Sequence, residues 1–419
     1  MEKLVVGMDI QTEYVEACYF DADMEDVVEV AEVSSGEMKR VSNDLFFSVE
    51  ENCWYCGVKA QELYMIKPGQ MYSDIYDNLD SNSIIIAGGR EYIYMDLFCI
   101  LIRLQLEQLF GEEIGKLSKL VISSPMADIV LNKAVGRLAR FLKLDKEQVE
   151  LISPMLGRLF YIFSQDSSVW SYGAAVFHYD ESLILERIQV LRYQNPMKIT
   201  ISTETFDSMP PVDASNSEKD NAFHEVVREA FFGRSKAVSG VYLVGRGFLN
   251  NWLDNSLDNL CRGRRVFMGQ NMCAKGACYA AASGSAAISP KGDVYVNATG
   301  MIQYDIGIKV IYQGREQIAP IALGGREWFA TTGSVTIFLD DTNRIEIDMY
   351  HRGTNELVKE VIEIKGLPNR PPKTTKLTIT VRYLDERRGE ICIRDKGFGT
   401  MYPTTGKMYI KEFLLPEER

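Results

Sequence analysis

One order of elements occurs twice in this chain, and that repetition limits what it can fold into more than any single motif does. Short apolar or alternating runs at 4–10, 14–20 and 27–33 read as three strands. Helical spacing follows at 94–110, then a buried strand at 120–123 stopped by Pro125, a helix at 129–144 and a strand at 149–152. Pro154 then stands where a helix begins. The middle third runs the same way, with strands at 173–179, 182–191 and 197–202, a helix at 218–232, a strand at 241–244, a helix at 248–260, a strand at 265–268 and an Ala-rich helix at 272–283. This order predicts a duplicated α/β domain over 1–283, with halves at about 1–165 and 166–283. Ligands of such folds bind in the cleft between the halves.

Beyond 283 the pattern changes. A small-residue, turn-rich stretch reads as a linker over 284–303, and helical periodicity fades after it. Runs at 306–312, 334–339, 345–350, 360–364, 376–383, 390–394 and 408–413 predict short strands, and so an antiparallel β-sandwich over 304–419. The expected fold class is therefore α/β plus all-β. With 419 residues, 46% of them hydrophobic, the chain can fill the cores of two or three domains. Its net charge of −12 argues against nucleic acid as a partner, because phosphate-backbone affinity comes from clustered Lys and Arg. No apolar run reaches the roughly 18 residues that cross a bilayer, since Asp96, Arg103 and Glu107 interrupt the best candidate, so no membrane partner is expected. The first nine residues lack a signal-peptide pattern, and a cytoplasmic protein is expected. Cys53 and Cys56 have the spacing of half a zinc site or a redox pair. No second pair completes them, and His178, His224 and His351 lie far apart in sequence, so buried thiols are the expectation for the eight cysteines.

Four segments, Val6-Gly-Met-Asp-Ile-Gln-Thr12, Leu120-Val-Ile-Ser-Ser-Pro125, Val241-Tyr-Leu-Val-Gly245 and Ala274-Lys-Gly-Ala277, follow the order seen in actin-like ATPases, whose duplicated domain is ribonuclease-H-like. Gly366-Leu-Pro368, Leu377-Thr-Ile-Thr-Val381, Gly389-Glu-Ile-Cys-Ile-Arg-Asp395 and then Gly406 and Lys407 narrow this. They resemble the peptide-binding sandwich of the seventy-kilodalton heat-shock (DnaK-type) chaperones. In that family two glycine-rich hairpins clamp the phosphates of ATP, Asp residues hold Mg²⁺ through water, and extended peptides lie in a channel of the sandwich.

The nucleotide positions depart from the family's pattern. Asp9 and Thr12 are retained, but Gln11 replaces a glycine and Glu13 adds a carboxylate at the hairpin tip. Phe177-His-Tyr-Asp-Glu181 stands where the second hairpin has glycines, and like charges about 4 Å apart cost roughly 4 kcal/mol at an effective dielectric near 20. No Lys or Arg occurs between Lys67 and Arg90 to meet a γ-phosphate, and Ser153 occupies the position of the water-orienting Glu. Ser153 is instead a helix cap. The lobe that closes over adenine shrinks to 203–221, while Gly245 and Gly247 survive, either to admit adenosine or to make a tight turn. Arg246 between them serves an anionic ligand or is a solvated turn residue.

The resemblance thus leaves Asp9, Thr12, Gly245 and Gly247 as nucleotide-contacting candidates, and Ile306, Ile308, Ile311, Phe338 and Ile345 as peptide-facing ones, with sandwich core the alternative for each. No catalytic residue and no metal ligand is assigned. No cofactor is expected, with ATP or ADP and Mg²⁺ as the alternative. It implies a non-catalytic, chaperone-like binding or scaffold protein with a polypeptide partner, a pseudo-ATPase without a helical lid or the family's hydrophobic coupling linker. The alternative is an ATP-dependent chaperone with a remodelled site in which Asp180 and Glu181 hold the metal. A small-molecule kinase, the third reading, does not explain the sandwich.

Overall fold

The apolar run Leu4–Ile10 becomes a strand with a parallel neighbour on one side, Leu117–Ser123, and an antiparallel one on the other, Tyr14–Asp21. A computed structural model describes residues 3–32, 38–191, 193, 196–231, 237–283, 294–340 and 343–417. It divides into two compact units, Met1–Val190 with Ser202–Gly292, and Leu191–Ile201 with Asp293–Arg419.

The first unit holds two sheets that follow one plan. In the first the order is Val149–Ile152, Leu117–Ser123, Leu4–Ile10, Tyr14–Asp21 and Asp26–Glu29, with Val41–Ser42 also paired to Tyr14–Asp21. In the second it is Arg265–Met268, Gly240–Val244, Ala174–Tyr179 and Leu183–Leu191, with Met197–Phe206 next. Each leading strand has parallel partners on one side and an antiparallel hairpin partner on the other. Local chemistry fixes the helices between them. Asp128 accepts from the Leu131 N–H at 2.7 Å to start Ile129–Phe141, and Ser153 accepts from Leu156 N–H ahead of Pro154 to start Pro154–Ser164. Pro154–Ser164 meets Met272–Ser283 so closely that a Cβ on Gly276 would lie 1.7 Å from the Gly157 carbonyl oxygen. Only glycine permits that approach.

Three expectations in this unit need correction. The helix expected at 248–260 is a 3₁₀ turn, Arg246–Phe248, followed by extended chain and a short helix, Asn255–Leu260. The cause is Trp252, which turns into the core and donates from Nε1 to the Gly247 carbonyl at 2.7 Å. A small sheet, Cys53–Cys56, Leu45–Ser48 and Gly69–Tyr72, with helix Gly57–Ile66 and hairpin Ile85–Ala87 and Arg90–Tyr92, occupies a stretch to which the sequence reading assigned no element. The buried-thiol expectation fails at Cys53 and Cys261, which are exposed, and Cys53 and the buried Cys56 sit at the two ends of one strand. Three residues of extended chain span about 10 Å, too far for a disulfide between them.

The second unit holds two four-stranded antiparallel sheets. One has the order Arg315–Ala322, Tyr304–Tyr312, Arg344–His351, Leu357–Glu363, the other Thr332–Leu339, Thr375–Tyr383, Arg388–Asp395, Met408–Leu414. Alternate residues of both, among them Ile306, Ile347, Leu377, Ile379 and Ile393, form one apolar cluster. Arg315–Ala322 was not among the expected strands. Pro320 lies in it, which an edge strand tolerates because it gives up one ladder donor. Of the expected linker, 284–293 lie outside the described residues, and Val294–Asn297 is a strand paired in parallel with Met197–Thr200. Among the described residues no helix is long and apolar enough to cross a membrane.

Candidate functional site

The residues matched to a nucleotide site gather in the first unit at two hairpins. Asp9 lies near the end of Leu4–Ile10, opposite Ser123 on one neighbour and Glu16 on the other. Gln11 donates from Nε2 to Asp9 Oδ2 at 2.6 Å, and only 5% of Asp9 is exposed. Asp9 Oδ1 and Ser123 Oγ are both enclosed, and the Ser123 side chain bears on the Asp9 carboxyl. Burial pushes the Asp9 carboxyl up to about 6. Gln11, Ser123 and Arg158 oppose that shift, and Glu16 adds to it.

The hairpin tip is held from outside. Asn43 donates from Nδ2 to the carbonyls of Gln11 and Thr12 at 2.8 and 3.0 Å, and its Oδ1 accepts from Gln105 at 3.0 Å. Thr12 itself is exposed. Below Asp9 the Arg158 guanidinium pairs with Glu186, with Nε 2.8 Å from Oε2, and its Nη1 lies 3.8 Å from Cys273 Sγ. Burial pushes the Cys273 thiol up to about 12, so it stays neutral.

The second hairpin carries Asp180. Its Oδ2 is 2.5 Å from His178 Nε2, and its Oδ1 accepts from the Arg246 backbone N–H at 2.7 Å. The His178 contact, with help from Arg246, holds Asp180 down at about 2. The Tyr14 phenol is raised by burial and further by the charges of Glu16, Asp9 and Asp180. Gly245 has φ +99°, and a Cβ there would lie 2.6 Å from the Tyr179 carbonyl oxygen. A Cβ on Gly247 would lie 2.2 Å from the Tyr179 ring. Of the two uses open to these glycines, admitting adenosine or making a turn, the space matches the turn. The Tyr179 ring packs with Phe248 and Trp252 where the base was expected, and its hydroxyl donates to the Pro210 carbonyl. Arg246 reaches Asp180 through its backbone N–H, and its guanidinium, 3.7 Å from Asp180 Oδ1, is 76% exposed, as a solvated turn residue would be. Among the described residues no group of three or more His, Cys, Asp or Glu is placed to hold a metal ion.

The structure brings Gly245 and Gly247 against the Asp180 hairpin and leaves Asp9 and Thr12 on the other, but does not bring the five peptide candidates onto one surface. Ile306, Ile308 and Ile345 are 1%, 4% and 2% exposed inside the apolar cluster and cannot touch a ligand without opening it. Ile311 and Phe338 are exposed at 77% and 48%, and Phe338 packs edge-on against Phe398 at 5.6 Å. Sequence reasoning missed Asn43, Arg158 and Cys273 altogether. It noticed Gln11 and Tyr179 only as misfits with a glycine pattern, not as the groups that close the hairpins.

Residues 26–298 match a family of unknown function, DUF5716, in its C-terminal part. The chain belongs to this family. A second match, a domain of unknown function designated DUF8552, covers residues 301–415. The DUF5716 match therefore contains Asp180, Gly245 and Gly247 and begins after the Asp9 hairpin, while the DUF8552 match contains the two four-stranded antiparallel sheets. No curated protein matches the chain.

Proposed function

We propose that this DUF5716 member is a non-catalytic, chaperone-like binding or scaffold protein of the cytoplasm. In this reading a duplicated actin-like domain has lost nucleotide hydrolysis and is followed by a β-sandwich derived from a peptide-binding one, with a polypeptide as partner. One observation carries the reading: the carboxylates of both hairpins already have partners within the chain. Gln11 covers Asp9, His178 and Arg246 take both oxygens of Asp180, and the Tyr179 ring fills the face of Gly247. Phosphoryl transfer depends on donors and cations aimed at the transferring group, and here Gln11, His178 and the Arg246 N–H donate to the carboxylates instead.

The rival, an ATP-dependent chaperone with a remodelled site, draws on the enclosed carboxyl of Asp9 beside Ser123. Purified protein is expected to show no Mg²⁺-dependent ATP hydrolysis above background. Hydrolysis abolished by Asp9→Ala overturns the proposal. A saturable thermal shift with ATP that Asp9→Ala removes, without hydrolysis, assigns a retained nucleotide site to a non-catalytic protein, since a ligand at 100 times its Kd adds about 2.7 kcal/mol of stability.

A further inference from the structure

We propose that the outward side of the sheet Thr332–Leu339, Thr375–Tyr383, Arg388–Asp395 and Met408–Leu414, at its basic end, is a docking surface for an acidic polypeptide segment that carries apolar side chains. This names a partner class for the polypeptide-binding reading above and rests on it.

Strand register fixes which side chains share that surface. Leu377, Ile379 and Ile393 point into the apolar cluster, so Lys376, Thr378 and Arg394 point away from it. Phe338 lies opposite Lys376, and Arg394 lies between Thr378 and Met408, which sets cations beside apolar groups on one face. The loop after Arg388–Asp395 extends it. The Lys396 N–H donates to the Lys376 carbonyl at 2.9 Å, and Phe398 packs edge-on against Phe338. Phe338, Phe398 and Met408 are each about half exposed, and Met401 is 81% exposed.

The groups that hold this loop are not the ones it presents. Buried Asp395 accepts from Nη1 and Nη2 of Arg370 at 3.0 and 3.1 Å, and from the N–H groups of Gly397 and Thr405, both at 2.9 Å. The Phe398 N–H donates to the Tyr402 carbonyl at 2.6 Å, which closes the tip. A partner meets a preformed surface, so little ordering opposes its binding.

Charge says what kind of partner fits. Residues 365–411 hold 11 Lys and Arg against 4 Asp and Glu, in a chain of net charge −12. All four carboxylates are taken: Asp395 by Arg370, Glu390 by Arg382, Asp385 by Arg388, and Glu386 by the Gly300 N–H. Among the described residues Lys365, Lys373, Lys376, Arg394, Lys396 and Lys407 have no carboxylate in ion-pair contact. Acidic side chains are their complement. Exposed Phe398, Met401 and Met408 add a demand for apolar side chains, which a peptide supplies and a phosphate backbone does not. Fields at physiological salt fade over about 8 Å, so a short acidic segment responds to this end alone. A long nucleic acid or an anionic bilayer extends past it and is repelled by the chain's net charge.

The test follows the fluorescence anisotropy of a labelled Glu-rich peptide that carries Phe, titrated with the full-length chain. Saturable binding that weakens with salt is expected. Arg394→Glu with Lys396→Glu is expected to weaken it at least about tenfold, and Met401→Ser at least about threefold. These three side chains are exposed, and an unchanged urea midpoint in each variant shows that only the surface has changed. The same peptide with Lys for Glu is expected not to bind, and with Ala for Phe to bind more weakly. Ile311→Asp, on the other sheet and 77% exposed, is expected to leave binding unchanged. A loss there moves the peptide to the other sheet, which overturns this surface while the polypeptide-binding reading stands. Absence of saturable binding overturns the proposal. So does tighter binding of phosphatidylserine vesicles or of single-stranded oligothymidylate, lost in the same double variant. ATP hydrolysis overturns the non-catalytic reading and leaves these titrations unaffected, so the two failures are distinct.

Discussion

Asp9 is the side chain whose burial has the clearest consequence in solution. In the unfolded chain its carboxyl ionises above the ordinary 3.8, but in the folded protein only near about 6. Between those values the folded state keeps a proton that the unfolded state has released, so stability falls as pH rises through this window and stays lower above it. A shift of roughly two units corresponds to about 3 kcal/mol. Asp9→Asn keeps an acceptor for Gln11 and removes the charge. It is expected to stabilise the protein by up to about 3 kcal/mol near pH 8 and by little near pH 4, measured by urea unfolding. A gain of equal size at both pH values contradicts the assignment. The sequence shows Asp9 at the end of an apolar strand, and that much was legible. It does not show that Gln11 folds back on Asp9, or that the Tyr179 ring meets Gly247 across nearly seventy residues of chain. The first contact depends on the side-chain course at one turn, and the second on the parallel pairing of Ala174–His178 with Gly240–Val244, which no local pattern encodes.

At the scale of elements, periodicity located the segments well and their faces less well. Tyr94–Phe110 has the bounds its helical spacing predicts. Alternation placed Ile306 and Ile308 on one face of one strand but could not tell whether that face turned toward a ligand or toward the opposite sheet. Both point inward. The same limit hid the course of 248–260, where one tryptophan outweighed helical spacing. Two glycines give a paired test of element packing. Gly276 faces the Gly157 carbonyl with no room for a Cβ, whereas Gly136 lies inside Ile129–Phe141 with nothing within 4 Å of where its Cβ would be. Gly276→Ala must push two helices apart and is expected to cost about 1–3 kcal/mol or more. Gly136→Ala is expected to stabilise by about 0.5–1 kcal/mol, because it lowers the unfolded chain's entropy and raises helix propensity. Thermal unfolding of both variants checks this. Similar effects from the two would mean that the helices do not meet at Gly276.

At the scale of the molecule, the sequence suggested a single boundary near 284–303, but the chain enters the second unit twice. Leu191–Ile201 belongs to that unit although the residues on both sides of it belong to the first. Nothing local could reveal this, since an apolar strand reads the same whichever unit it serves. The excursion supplies Met197–Thr200 as the parallel partner of Val294–Asn297, and Ile199 on it is fully buried. Lys198 adds its ammonium 5.8 Å from the Tyr295 ring centre. A fragment beginning at residue 293 therefore lacks a strand of its own unit, and Tyr295 and Val296, both buried in the intact chain, lose their cover. Joining 191–201 to that fragment through a flexible linker is expected to raise its stability by about 2 kcal/mol or more, the order of magnitude for burying one large aliphatic side chain. It should also sharpen unfolding followed by circular dichroism in urea. The comparison also fixes which contact is responsible. Ile199→Asp in the joined segment should return the fragment to the stability it has without that segment, and if the plain and joined fragments unfold at the same urea concentration, the parallel pairing of Met197–Thr200 contributes nothing to this unit.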